Sequence, residues 1–200
     1  MALTHAQKRA RIAAPTLADL GLAVAGAVGY GLAGVAANLL LPRLALFRPA
    51  AAVLVLSALL GGPVVGFGAG FLGDLLVSLW QGGVWVHWSL GMGVAGAVIG
   101  LLWLWSDLDA TPALTRLDLQ KIAFFTCAGF FAGAFLPALF DLILGAALPL
   151  ALLVWALPAW LLNAFWGTVL GTLLLVLWKN ATRGGLFRRS FEKKTLPRRE

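Results

Sequence analysis

Six stretches of this chain are apolar over a length close to what a helix needs to cross a bilayer. A crossing takes roughly 20 apolar residues for about 30 Å of hydrocarbon. Residues 17–41, 44–60, 64–80, 89–105, 122–144 and 150–178 qualify, the shorter ones narrowly. Breakers separate them: Pro42-Arg43, Gly61-Gly62-Pro63, Gln81-Gly82-Gly83 and the polar run from Ser106 to Asp109. Pro158 falls inside the last stretch and is expected to kink it or to mark its true start. The fold class expected is therefore all-α, an integral membrane protein built as a compact bundle of six transmembrane helices. Composition agrees: 61% of residues are hydrophobic and 12% charged, against about 45–50% and about 25% in a soluble domain. The single cysteine, Cys127, has no partner in the chain, which argues against a disulfide framework or a thiolate metal centre. No metal site and no cofactor are expected in this chain.

The charge is the counterweight to this apolarity, at +7 overall. Lys8, Arg9 and Arg11 precede the first stretch, and Arg116 and Lys121 lie between the fourth and fifth. Lys179, Arg183, Arg188, Arg189, Lys193, Lys194, Arg198 and Arg199 follow the sixth. With six crossings all of these share one side, which the cation bias of cytoplasmic loops identifies as the inside. Both termini are then cytoplasmic, and Arg43 and Arg48 are the cations left outside. The first apolar run, at about 25 residues, exceeds the ~7–15 of a signal peptide and is expected to be a retained helix. The basic tail is a topology determinant that rests on anionic membrane lipid, and nucleic acid is not expected as a partner.

Small residues recur at helical spacing: Gly62, Gly66 and Gly70; Gly96 and Gly100; Gly129 and Gly133; Gly167 and Gly171. In lipid such rows let helix backbones approach closely. In the first helix Ala23, Ala27 and Gly31 form one ridge, which could serve packing within the chain or face another subunit.

Ionisable groups inside a membrane are costly and mark candidate functional positions. Asp74 and Asp141 qualify; structural pairing and contact with a polar substrate are both open for them, and for Arg48. The richest outer segment is Trp80-Gln-Gly-Gly-Val-Trp85-Val-His87-Trp88-Ser89. Its tryptophans are those of an interfacial belt or, with Gln81 and His87 between them, of a pocket for a planar heterocycle. In the sixth helix Asn163 and Trp166 share a face, and interhelical hydrogen bonding and ligand contact both fit Asn163.

Three segments together resemble the substrate-binding S component of energy-coupling factor (ECF) vitamin transporters. They are Gly61-Gly-Pro63-Val-Val-Gly66-Phe-Gly-Ala-Gly70-Phe-Leu-Gly73-Asp74, Trp88-Ser-Leu-Gly91-Met92-Gly93, and Leu157-Pro158-Ala-Trp160-Leu-Leu-Asn163-Ala-Phe-Trp166-Gly167 with Gly171. The likeness covers about residues 20–178; Met92 stands where family members often carry Asn. It implies a multi-pass protein of a prokaryotic plasma membrane that captures a vitamin or related micronutrient from outside and catalyses nothing itself. The implied partners are a transmembrane coupling subunit and two ABC ATPases, with delivery by toppling of the S component in the bilayer. Ala23 and Ala27, with Gly31 beyond them, map to the ridge that meets the coupling subunit. Arg48, His87, Trp88, Asn163 and Trp166 become expected substrate contacts, joined by Gln81, Trp85 and Asp141 from the residue reading. The chain then divides into a basic cytoplasmic N-terminus at 1–16, a six-helix substrate-binding domain at 17–178 and a basic cytoplasmic tail at 179–200.

Two other classes compete. A rod-shape-determining membrane scaffold has a similar six-span layout and a glycine-rich stretch ending in Gly-Asp, but gives no use to the tryptophan-rich loop or to Asn163. An intramembrane aspartyl protease would want a glycine where Phe71 stands, and general acid–base work needs two acids around one water. Asp141 lies outward of Asp74, so the sequence does not read as an enzyme.

Overall fold

The computed structural model describes residues 4–40, 47–106, 108 and 114–183; Arg43 and the cations from Arg188 onward lie outside them. Among the described residues there are six α-helices and no strand: α1 (His5–Ala13), α2 (Leu17–Leu40), α3 (Pro49–Trp80), α4 (Val86–Trp105), α5 (Arg116–Ile143) and α6 (Leu157–Arg183). A π-helical segment, Leu150–Ala156, leads directly into α6. Five elements are long and apolar enough to cross a membrane: α2, α3, α4, α5 and the continuous helix Leu150–Thr182.

From Pro49 on, the stretches expected at 44–60 and 64–80 are joined within one element, α3, which doubles back on itself. Gly62 takes φ 80 and ψ −167, a conformation closed to other residues, and Pro63 follows it with no N–H to give. That the arms 49–61 and 63–80 lie side by side follows from their contacts. A Cβ at Gly66 would sit 2.9 Å from Ala58 Cβ, and one at Gly26 of α2 would meet both Ser57 Oγ at 2.5 Å and Ala69 Cβ at 2.9 Å. At ~1.5 Å per residue the arms are about 20 and 27 Å long. The first arm starts at Pro49, a favoured residue in the opening turn of a helix.

Small residues bring the backbones together. The row Gly62, Gly66, Gly70 of α3 meets the row Met92, Gly96, Gly100 of α4, with carbonyls where side chains would otherwise stand. Gly129 and Gly133 of α5 receive Ala95 and Gly91 of α4, and Gly171 of α6 receives Val55. Dispersion from such close approach is what holds helices in lipid, where apolar burial gives little drive. Leu54, Val55, Ala58, Ile99 and Phe130 form the centre of the core.

The ridge of α2 is spent inside the chain, which corrects the reading of Ala23, Ala27 and Gly31 as a free face for a partner. All three are buried: Ala23 faces Gly68, and a Cβ at Gly31 would lie 3.2 Å from Leu76 Cβ. The exposed face of α2 carries Leu20, Val24, Val28 and Leu32 instead.

The basic N-terminus is also more than a charged leader. Thr4 and Gln7 form a capping box that starts α1. Lys8 Nζ, buried, donates to the carbonyls of Trp103 and Ser106 at 2.8 Å each, and stands 5.3 Å from the Trp103 ring centroid. That indole in turn packs on Gly62. Pro158 lies just past the π-helical segment, inside the continuous helix Leu150–Thr182, so the irregular stretch of helix falls where its missing N–H removes a hydrogen bond.

Candidate functional site

Because α3 is a hairpin, both its ends lie at the same end of the bundle, with the end of α2, the start of α4, the end of α5 and the lead into α6. The α1 helix and the Gly62 turn lie at the opposite end. A cavity of about 740 Å³ opens where these helix ends gather, within the range of small-molecule sites.

Two polar clusters line it. Asp74, on the second arm of α3, accepts from Ser89 Oγ at 2.9 Å and from Tyr30 Oη at 3.3 Å. Gly73 makes this possible: its missing Cβ is where Tyr30 lies, 2.7 Å from that ring's own Cβ. At the mouth Asp141, in the last turn of α5, accepts from His87 Nε2 at 2.8 Å and from Trp88 Nε1 at 3.0 Å. His87 also leans on Phe140, centroids 5.3 Å apart. The clusters share α4: His87, Trp88 and Ser89 are consecutive in its first turn, so one short segment serves both acids.

Of the sequence-predicted contacts, Arg48, Gln81, Trp85, His87, Trp88, Asp141 and Asn163 all line this cavity. Arg48 precedes α3 and is exposed, with no carboxylate within ion-pair distance among the described residues. Asn163 is 8% exposed, faces the cavity and makes no hydrogen bond to a described residue. Trp166 is not on the wall. It meets Phe47 edge-on, centroids 4.9 Å apart, and it is Phe47 that lines the cavity. Three residues from Asn163 keeps Trp166 on the same face but lower on the helix, behind that ring.

Sequence reasoning missed Tyr30, Phe47 and Asn38 on the wall. Tyr30 carried a usable signal, being the chain's one tyrosine, set in an Ala- and Gly-rich helix. Met92 also lines the cavity and is 5% exposed, so the position is part of the site but brings a thioether in place of an amide.

A bundle of long apolar helices enclosing a cavity with aromatic walls and a few polar groups is the architecture of a membrane-embedded small-molecule-binding protein. The comparison with known families is specific: residues 18–180 match the ECF-type riboflavin transporter, S component family, and the chain belongs to it. It is thus a multi-pass membrane protein of a family of transporter subunits. Relatives include a UPF0397 protein of Vibrio atlanticus, 45% identical over 75 residues, which are 37% of this chain and 36% of that one. A UPF0397 protein of Aliivibrio fischeri is 38% identical over 89 residues, 44% of this chain and 48% of its own length. A UPF0397 protein of Lactobacillus delbrueckii subsp. bulgaricus is 41% identical over 59 residues, 29% and 32% of the two chains. The chain thus spans less than half the length of these relatives. No solved structure matches it.

Proposed function

We propose that this protein is the substrate-capturing subunit of an ECF-type importer, taking a vitamin-like micronutrient with a flat ring from outside the cell. The cavity at one end of the bundle carries this reading: Trp85, Trp88, Trp155 and Phe47 offer ring faces, and Arg48, Gln81, His87, Asp141 and Asn163 offer polar contacts around one space. Six crossings with both termini in the cytoplasm put the cavity mouth outside, with the arms of α3 as the second and third crossings. The described cations support this orientation. Lys8, Arg9, Arg11, Arg116, Lys121 and Lys179 belong to helix ends at the far side of the bundle, whereas Arg48 is at the mouth. Cytoplasmic ends are those that collect Lys and Arg.

Transport then depends on partners: a transmembrane coupling subunit and two ABC ATPases that supply the energy, with the loaded subunit toppling to present its cavity inward. The chain itself needs no cofactor. Membership in the S component family favours this reading over a cell-shape scaffold. The test is to purify the chain in detergent and titrate riboflavin, thiamine, biotin, folate, pantothenate and pyridoxine by calorimetry and thermal shift. Saturable binding of one of them is the expected result, and no binding across the series would count against capture.

A further inference from the structure

We propose that Asp74 sets the chemical class of the ligand: a planar heterocycle that offers nitrogen-bound hydrogen, as a ring N–H or an amino group, and no carboxylate at the end that enters first. The inference rests on the cavity being the capture site and adds which chemistry that site selects.

Asp74 is placed to be a recognition group. It lies on the cavity wall about six residues below the end of α3, hence roughly 9 Å down at ~1.5 Å per residue. A carboxylate has about four lone-pair directions, and the protein fills two, through Ser89 and Tyr30. Both donors are neutral. No cation forms an ion pair with Asp74 among the described residues, since the bridges there are Arg11–Asp19 and His87–Asp141. Asp141 likewise accepts one donor at each oxygen, but its partners are the titratable His87 ring and the Trp88 indole, and it stands at the mouth. With roughly two lone-pair directions open and only hydroxyl partners, the deep acid keeps acceptor capacity in surroundings where an unmet polar group is expensive.

Asn163 is the independent observation. The residue is more than nine-tenths buried, lines the same cavity and has no hydrogen-bond partner among the described residues. An amide offers donors and an acceptor together, which matches the alternating edge of a nitrogen heterocycle. An anionic ligand group would meet Asp74 at close range in a medium of low dielectric, where like charges repel strongly. Arg48, exposed at the mouth, is the place for any acceptor or negative group that the ligand trails behind it.

The experiment uses the purified full chain and intrinsic tryptophan fluorescence, since Trp85, Trp88 and Trp155 line the cavity. Thiamine, pyridoxamine and riboflavin present nitrogen-bound hydrogen without a carboxylate; nicotinate and pantothenate carry the carboxylate. Saturable binding within the first group only is expected. Asp74→Asn keeps the shape and removes the charge, and is expected to weaken that binding roughly 10- to 100-fold, the range for a hydrogen bond to a charged group. Binding of nicotinate or pantothenate alone overturns the proposal, as does a folded Asp74→Asn variant that binds with undiminished affinity. The wild-type series decides the matter should the variant not fold. Failure of every compound to bind sinks the capture reading as well, whereas binding that ignores Asp74 sinks only this assignment.

Discussion

The two ends of the bundle treat their polar groups in opposite ways. At the α1 end four groups are matched within the chain: Lys8 by two carbonyls, Ser106 Oγ by the Leu102 carbonyl, His5 by the Leu104 carbonyl, Asp19 by Thr16 and Arg11. At the cavity end Asp74 keeps spare acceptor capacity and Asn163, 8% exposed, has no hydrogen-bond partner among the described residues. A buried polar group left unmatched costs about 1–3 kcal/mol, so a fold tolerates it where something else repays it. One end is a clamp that completes itself, and the other is a site that a ligand completes. Substitutions at the first should cost stability and spare binding, and those at the second should do the reverse.

The largest effect is expected at Gly62. Alanine there would have to hold φ 80 and set its Cβ 2.5 Å from Trp103 Cε3. Backbone strain of this kind costs about 1–3 kcal/mol and overpacking about 1–3 more, so Gly62→Ala should lose about 3 kcal/mol. A lowered thermal midpoint in detergent reads it, and the ligand affinity of the folded fraction should not change. An unaltered midpoint would mean that the hairpin of α3 does not depend on this residue.

Lys8→Met comes next. It keeps the apolar stem and removes two charge-assisted hydrogen bonds and the contact with Trp103. A loss of about 2 kcal/mol is expected, again with ligand affinity within about twofold. Weakened ligand binding without a change of midpoint would break the contrast between the ends.

These two positions also show what could be read in advance. Gly61-Gly62-Pro63 stood out as a break because glycine and proline act locally, on their own backbone. The long spans were legible for a similar reason, since length and apolarity are properties of the segment itself. The role of Lys8 was not legible, because it consists of two carbonyls about a hundred residues away. The ridge of Ala23, Ala27 and Gly31 lies between these cases. Spacing says that they share a face, but a neighbour such as Gly68 or Leu76 is decided only by packing. Among the cavity-lining residues, His87, Trp88, Asp141 and Asn163 could be singled out because polar groups in an apolar helix are conspicuous. Phe47 was not, since a phenylalanine there looks like any other apolar residue.

At the open end, Asp141→Asn tests the mouth. The amide cannot accept from both His87 and Trp88 as the carboxylate does, so one ring loses its hold. Loosening one wall residue should lower affinity about tenfold, equivalent to about 1.4 kcal/mol. The thermal midpoint of the unliganded protein should move by less than about 1 kcal/mol, because these side chains are only partly buried and solvent can replace the lost bond. A large loss of stability with affinity intact would place this cluster with the clamp.

The smallest effect separates the wall from what stands behind it. Trp166 touches Phe47 edge-on, and Phe47 faces the cavity. Trp166→Phe retains an aromatic ring against Phe47 and forfeits part of an edge-to-face contact worth about 0.5–1.5 kcal/mol. Transmitted through a second ring, that should change ligand affinity by less than about threefold. Trp88→Phe, by contrast, removes the indole N–H that Asp141 accepts at 3.0 Å and should cost several times more by the same titration. If Trp166→Phe proves the more damaging of the two, the wall as drawn is wrong: the ligand would then have to displace Phe47 and rest on Trp166 itself, so the cavity would extend further along α6.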